Sequence, residues 1–258
     1  MASDSSVKIW DVRTSSQRAI GHIDVPTGST AADASWSTTT SDQSLLAVTD
    51  RNSTIKIYDT RKLSSKSNTE SSNDGAAVKM ISVNKGLVEA CIFSPAGRHL
   101  VGALTTNGKG ELNVWEWNTE DLSEKYVYPA HTGPIYSISF SPDGKRLATG
   151  GADAIVGLWD VASMVCAKTI DRCQKFIRSV SYSYDSVFVA SSCEDDFVDL
   201  ASAETGELVG KISLGKHKAG ADEICFHPKM HVIACARCPG MSTGPAVTVA
   251  KLTLGRQS

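Results

Sequence analysis

Apolar and polar residues alternate in short runs along this chain, and the pattern is clearest between residues 130 and 161. Ile135, Ile138 and Phe140 lie in a run with the alternation that is typical of a strand, and a Ser-Pro-Asp-Gly turn follows it. A second apolar run ends at a Gly-Ala-Asp turn, and a third ends at Trp159 and Asp160. The segment therefore predicts three antiparallel strands and a fourth after Asp160, joined by turn residues that reverse the chain at little cost.

The same pattern recurs along the chain. The third strand of a unit ends at Ile9-Trp10-Asp11, Ile57-Tyr58-Asp59, Val114-Trp115-Glu116, Leu158-Trp159-Asp160, Leu200-Ala201-Ser202 and Val249-Ala250-Lys251, which are 42 to 57 residues apart. The first strand of a unit ends at Trp36, Phe93, Phe140, Tyr182 and Phe226. A sheet of this size cannot bury both faces alone, and the spacing brackets the period of about 40–45 residues that WD repeats show. We therefore predict an all-β fold, a WD-repeat β-propeller of about five complete blades plus a partial N-terminal blade.

The predicted boundaries make residues 1–258 a single propeller domain. They comprise a partial blade over 1–23, repeats near 24–61, 62–117, 118–161, 162–203 and 204–254, and a mobile Ser/Asn-rich insertion over 62–74. The segment from Val7 to Ile23 begins with what looks like the third strand of a blade. We therefore expect an N-terminally truncated ring whose closure is open or strained, because an intact propeller pairs its outer edge.

Composition narrows the classes of function. The 26 Lys and Arg residues against 28 Asp and Glu give a formal net charge of -2, which disfavours a surface built to neutralise many phosphates. The seven cysteines are scattered through strand-like segments and fit buried, reduced thiols better than a disulfide framework. The sequence contains no run of about 18 apolar residues, so it predicts no membrane-spanning helix.

Four polar residues of the clearest repeat predict a structural hydrogen-bond network: His131, Thr149, Asp153 and Trp159. A buried indole N–H and a buried carboxylate are costly unless they are paired, so such residues hold the turns of a blade. A catalytic triad is the alternative interpretation, but the Asp-to-Trp spacing recurs at Asp4 and Trp10, and a triad needs one nucleophile and no repeating frame. We therefore expect no catalytic residues.

A possible partner-binding face is predicted four residues before each aromatic strand ending. That column holds Ala32, Glu89, Tyr136, Arg178 and Asp222. Varied polar and aromatic residues at equivalent positions are typical of a protein-binding surface. An ordinary solvated rim is the alternative, and the sequence does not choose between the two.

Two further motifs have competing interpretations. His227, His231, Cys235 and Cys238 carry zinc-ligand side chains, but their compact spacing would pull one strand apart, so we expect no metal site and no cofactor. Trp10-Asp11-Val12-Arg13 and Tyr58-Asp59-Thr60-Arg61 have the WDxR form of substrate receptors that dock onto cullin-RING ligase adaptors. A basic residue after the strand ending is the plainer explanation.

The chain also resembles one particular family. The residues that carry this resemblance are Gly151 to Asp160, Arg178 to Tyr182, Ala190 to Asp199, Glu204 to Gly206, Phe226 to Pro228 and Ala246 to Leu252. They resemble the WD-repeat subunit of the THO complex, whose propeller is expected to have seven blades. The Trp-to-Ala change at position 201 is part of that likeness.

The resemblance implies a non-catalytic scaffold in the nucleus that acts in mRNA processing and nuclear mRNA export (mRNA transport). Its partners would be other THO-type subunits, with indirect or weak RNA contact and with neither a membrane nor a small-molecule substrate. The alternative function is a substrate receptor or adaptor of a cullin-RING ubiquitin ligase.

Overall fold

A computed structural model of the protein describes residues 6–11, 13, 19–25, 29–37, 44–63, 77–83, 85–117, 124–214, 220–236 and 247–252. Within these ranges the regular elements are β-strands, apart from one short 3₁₀ turn at Thr60–Lys62. The described part of the chain contains no apolar helix of the length that crosses a bilayer. The chain divides into two compact units, Met1–Asn107 with Leu112–Val127, and Gly108–Glu111 with Tyr128–Ser258.

The first unit begins with an antiparallel hairpin and continues with a four-stranded sheet. The hairpin strands are β1 (Ser6–Ile9) and β2 (Gly21–Asp24). The sheet has the order β3 (Ala31–Trp36), β4 (Leu45–Asp50), β5 (Thr54–Asp59) and β6 (Ala77–Ser82). The hairpin corresponds to the predicted partial blade. Most of the predicted insertion over 62–74 lies outside the described residues.

The next sheet contains β7 (Leu87–Phe93), β8 (Leu100–Thr106), β9 (Lys109–Trp115) and β10 (Glu124–His131). The strands lie side by side in the order β10-β9-β8-β7. In the first unit, Phe93, Leu104 and Trp115 are buried in one apolar cluster with residues of β4 and β5. The alternating apolar positions of these strands therefore supply the core of that unit.

The second unit holds two four-stranded antiparallel sheets and a three-stranded one. The first contains β11 (Ile135–Phe140), β12 (Arg146–Gly151), β13 (Val156–Asp160) and β14 (Val165–Ile170). The second contains β15 (Ile177–Tyr182), β16 (Phe188–Cys193), β17 (Phe197–Ser202) and β18 (Leu208–Ser213). The third contains β19 (Glu223–Phe226), β20 (Val232–Ala236) and β21 (Val247–Lys251). The prediction of an all-β fold with about five blade-like sheets after an N-terminal hairpin is confirmed, whereas the single-domain boundaries stay a prediction.

The turn between the first two strands of a sheet shows how the sequence forms these elements. The Ser141 hydroxyl accepts a hydrogen bond from the Arg146 amide at 2.9 Å and donates to Asp143 at 2.6 Å, while Gly144 adopts φ +71°. In the next sheet Ser183 and Asp185 form the same turn, and Ser186 takes the left-handed position. Where the chain reverses direction, hydrogen bonds from short polar side chains thus take the place of the hydrogen bonds between strands.

Candidate functional site

The residues of the predicted partner-binding column lie at β-bulges in four of the sheets. In β3, β7, β11 and β15 the register slips by one residue, so that one residue is left out of the ladder. The residues left out are Ala32, Glu89, Tyr136 and Arg178. A bulged residue is released from the inward and outward alternation of its strand, and its side chain takes a new direction.

In the second unit two of these residues form what we call the aromatic–arginine cluster, defined as Tyr136, Phe176, Arg178 and Glu194. The Arg178 guanidinium carbon lies 5.2 Å from the Tyr136 ring centre and 5.8 Å from that of Phe176. The two rings are 6.2 Å apart, and Phe176 is 43% exposed. The cluster presents aromatic faces and a positive charge together at the surface, which is the side-chain chemistry enriched at protein-binding hot spots.

The ion pair between Arg178 and Glu194 holds the guanidinium in place at one end. Its Nε atom is buried and has no hydrogen-bond partner among the described residues. The side chain of Glu194 is 40% exposed. The ion pair therefore orients the guanidinium before a partner binds, whereas the buried Nε atom is not accessible to an incoming group.

The other two predicted face residues have different surroundings. Glu89 belongs to the first unit, and partial burial raises the pKa of its carboxyl while the charge of Arg51 lowers it by less. Asp222 is exposed and directly precedes β19, where its amide donates to the Ala236 carbonyl at 2.9 Å. The structure thus brings together Tyr136 and Arg178 from the predicted set.

Sequence reasoning missed Phe176 and Glu194. Phe176 lies just before β15, outside the column that was counted back from the aromatic strand endings. Glu194 directly follows β16, at the end of a strand whose pairing brings it to Arg178. A column two residues before the bulge would have found Phe176, but no sequence signal marks Glu194.

The four residues of the predicted structural network lie in one hydrogen-bonded chain. Trp159 Nε1 donates to Thr149 Oγ1 at 3.0 Å, and that hydroxyl lies 2.7 Å from His131 Nε2. His131 Nδ1 lies 2.9 and 3.0 Å from the two carboxylate oxygens of Asp153. Because an indole N–H can only donate, the Thr149 hydroxyl is free to donate to His131, whose Nδ1–H then donates to Asp153.

Asp153 connects this chain to the backbone of two loops. Its carboxylate accepts hydrogen bonds from the amides of Thr132 at 3.1 Å and Ile155 at 3.3 Å. Thr149 and Trp159 are buried, so each polar atom needs its partner. The arrangement can hold strands and turns together, and it presents no exposed nucleophile.

The histidine and cysteine motif of the last sheet is spread among different partners. His231 Nε2 lies 2.8 Å from Asp185 Oδ2, His227 Nδ1 accepts from the Lys229 amide at 3.1 Å, and Cys235 is buried in the core. Cys238 lies outside the described residues. Within the described residues the metal-compatible group of three side chains is a different one, Cys173, Cys193 and Asp195.

In both WDxR motifs the arginine turns back onto its own aspartate. Arg13 contacts Asp11 at 2.8 and 2.9 Å, and Arg61 contacts Asp59 at 2.9 Å through two nitrogens. Hydrogen bonding to the arginine is the main cause that lowers the pKa of each aspartate to about 2. The side chains of Arg13 and Arg61 nevertheless remain 86% and 65% exposed.

The chain is similar to known proteins in the sequence of one repeat and in its fold. Residues 122–160, which include β11 to β13 and the hydrogen-bonded chain, match the family profile described as WD domain, G-beta repeat. The chain resembles a solved structure titled "Crystal Structure of Mitotic Checkpoint Complex" with a TM-score of 0.77 and 16% identity, covering 98% of this chain and 71% of that one. The protein therefore has a β-propeller fold, and residues 122–160 match a WD repeat.

Among individual relatives, the chain is 32% identical over 131 residues to THO complex subunit 3 of Arabidopsis thaliana. It is 28% identical over 136 residues to WD repeat-containing protein AAC3 of Dictyostelium discoideum. These alignments cover 51% and 52% of this chain. The chain spans 40% and 28% of the lengths of these two relatives, so it matches less than half of either.

Proposed function

We propose that this protein is a non-catalytic protein-interaction scaffold that binds a partner through the aromatic–arginine cluster. The observation that carries this proposal is the contact of the Arg178 guanidinium with the rings of both Tyr136 and Phe176 at the surface of the second unit. Tyr and Arg are over-represented among residues that dominate binding energy, because they combine a large contact area with a fixed polar group. The bulges keep two of these side chains out of the strand ladder.

We further propose that the partners are THO-type subunits and that the protein acts in the nucleus, in mRNA processing and export. The likeness to THO complex subunit 3 supports this assignment, as do the sequence features from Gly151 to Leu252 described above. The near-neutral charge balance agrees with a role in which RNA is held chiefly by other subunits.

Substitution of Arg178 by alanine tests the cluster. We expect about 30-fold weaker binding to purified THO subunits, which corresponds to about 2 kcal/mol, the loss typical of a hot-spot arginine. Affinity purification from nuclear extract, quantified by mass spectrometry and followed by binding measurements with the recovered subunits, provides the readout. Arg98→Ala is the matched control, because Arg98 is an exposed arginine in a turn of the first unit.

The outcomes separate the two levels of the proposal. Equal recovery of THO subunits with wild type and Arg178→Ala would contradict the role of the cluster and leave the assembly assignment standing. Recovery of other proteins without THO subunits from the wild-type chain would contradict the assembly assignment.

A cullin-RING substrate receptor is a second candidate, favoured by the exposed arginines of the two WDxR motifs. The double substitution Arg13→Ala with Arg61→Ala tests it. We expect recovery of THO subunits to stay within about twofold, because the two side chains are mostly exposed and exposed ion pairs contribute little. Capture of cullin-RING adaptors that this double substitution abolishes would instead favour the second candidate.

A further inference from the structure

The sheet of β15 to β18 carries a different group of side chains at the place where the preceding sheet has its hydrogen-bonded chain. Counted from the aromatic residue that ends the first strand, the positions of His131, Gly151 and Asp153 are taken by Cys173, Cys193 and Asp195. The pairing agrees with this count, since Ile135 pairs with Gly151 and Ile177 pairs with Cys193. Equivalent positions in the two sheets therefore carry side chains of different chemistry.

The two cysteines at these positions depend on each other sterically. A side chain at Gly151 would place its Cβ atom 2.7 Å from His131 Nδ1 and 2.9 Å from Asp153 Oδ1, which is too close. A histidine at the position of His131 therefore requires a glycine at the end of the second strand of the sheet, where Gly151 lies. In the next sheet the smaller Cys173 leaves room for the side chain of Cys193, so the two thiols occupy the space of one imidazole.

The resulting thiol–carboxylate cluster, defined as Cys173, Cys193 and Asp195, is compact. One potential ligand atom from each residue lies within 4.8 Å of the other two, and Cys193 Sγ is 3.5 Å from Asp195 Oδ2. In a tetrahedral zinc site, with Zn–S near 2.3 Å and Zn–O near 2.0 Å, the sulfur and oxygen atoms are about 3.5 Å apart. Both cysteines are buried and Asp195 is half-buried, so the cluster has limited access to bulk water.

The surroundings of the cluster suit a bound cation. Asp195 accepts a hydrogen bond from the Gln174 amide at 3.1 Å, which orients the carboxylate, and Lys175 Nζ lies 3.9 Å from it. Two thiolates and a carboxylate would exceed the charge of a divalent ion by one, and the lysine offsets that excess.

An unused hydroxyl faces the same side of the strand. Ser191 occupies the position of Thr149, and its Oγ atom is buried without a hydrogen-bond partner among the described residues. Ser191 and Cys193 are two residues apart in β16 and therefore share one face of the sheet. Thr149 binds His131 and Trp159 in the preceding sheet, whereas Cys173 and Ala201 stand at those places here.

We propose that Cys173, Cys193 and Asp195 form a binding site for a soft divalent cation of the Zn²⁺ class, with a fourth position open to water. Thiolates select such ions, and each thiol releases its proton to solvent when the metal–sulfur bond forms. Metal binding at this site requires no partner protein, although Glu194 of the aromatic–arginine cluster lies between Cys193 and Asp195 in the chain. Sequence spacing did not reveal it, because 20 residues separate the two cysteines and only strand pairing brings them together.

Titration of the reduced, chelator-treated protein with Co²⁺ under anaerobic conditions tests the site. We expect one Co²⁺ per chain with near-ultraviolet thiolate-to-cobalt charge-transfer absorption, and displacement of the Co²⁺ by added Zn²⁺. Cys173→Ser and Cys193→Ser should each weaken binding by at least about tenfold and remove most of the absorption, and Asp195→Asn should weaken binding with less spectral loss. Cys225→Ser is the matched control, because Cys225 is an exposed thiol outside the cluster.

The double substitution Cys173→His with Cys193→Gly keeps the test decisive if a single variant misfolds. It installs the residues that the preceding sheet already accommodates, so we expect a folded protein without the charge-transfer absorption. Absence of that absorption from the wild-type protein would overturn the proposal and leave the thiols as core packing. Retention of the absorption in the double variant, or isolation of a metal-free chain with a disulfide between Cys173 and Cys193, would overturn it as well.

Discussion

Replacing Trp159 with alanine should lower the free energy of unfolding by about 3–5 kcal/mol, the range found when large buried aromatics are truncated. Trp159 is 5% exposed, and its indole N–H donates to Thr149 Oγ1 at 3.0 Å. The substitution opens a cavity and removes the donor at the head of the chain that ends at Asp153. Equilibrium unfolding in urea, followed by circular dichroism, measures the loss.

Two further variants divide this effect into its parts. Trp159→Phe keeps much of the buried ring but removes the N–H, so we expect a smaller loss, including about 1 kcal/mol for the missing hydrogen bond. Trp10→Ala removes an indole that is 53% exposed, and we expect it to cost much less than Trp159→Ala. A loss below about 1 kcal/mol for Trp159→Ala would show that the hydrogen-bonded chain does not hold this sheet.

Replacing Arg172 with methionine should destabilise the second unit by about 3 kcal/mol, near the lower end for breaking a buried ion pair because the arginine is partly exposed. Asp199 stands where the preceding sheet has Gly157, and its carboxylate is 1% exposed. Arg172 contacts the two oxygens of Asp199 at 2.6 and 2.8 Å and also donates to the Gly206 carbonyl at 2.9 Å. Lys211 pairs with Asp199 in the strand register, but its ammonium lies 3.9 Å from the Phe197 ring centre. Thermal unfolding and urea unfolding both report the change.

The matched comparison is the double substitution Arg172→Met with Asp199→Leu. Removing both charges should recover most of the lost stability, because the cost of the single variant comes from a buried carboxylate without its counter-charge. If the double variant is no more stable than Arg172→Met alone, the loss comes from packing of the arginine stem and the electrostatic explanation is wrong.

The sheets were predictable because two sequence columns recur together. Aromatic residues such as Phe140 and Tyr182 mark the end of a first strand, and the third strand keeps its pattern even where Ala201 replaces the usual tryptophan. This regularity follows from strand geometry, in which alternate residues share a face. The positions of Tyr136 and Arg178 could be found in the same way, by counting from these columns.

The contacts that depend on strand pairing could not be predicted from those columns. Nothing in the spacing shows that Tyr136 and Arg178 are bulged, because a bulge is defined by the register of the partner strand. His231 finds its partner Asp185 at a separation of 46 residues, whereas the sequence grouped it with nearby histidine and cysteine residues. Local sequence motifs therefore did not show that Cys173, Cys193 and Asp195 lie close together.

The bulges have a consequence for how such a protein diversifies. A residue inside a strand ladder is constrained by its cross-strand neighbours, whereas Tyr136 and Arg178 stand outside that pairing. Substitution at these positions changes a partly exposed side chain that has no paired residue on the neighbouring strand. Under the proposed binding role, the bulged positions are therefore the points at which binding specificity could be changed in one sheet at a time while the scaffold stays the same.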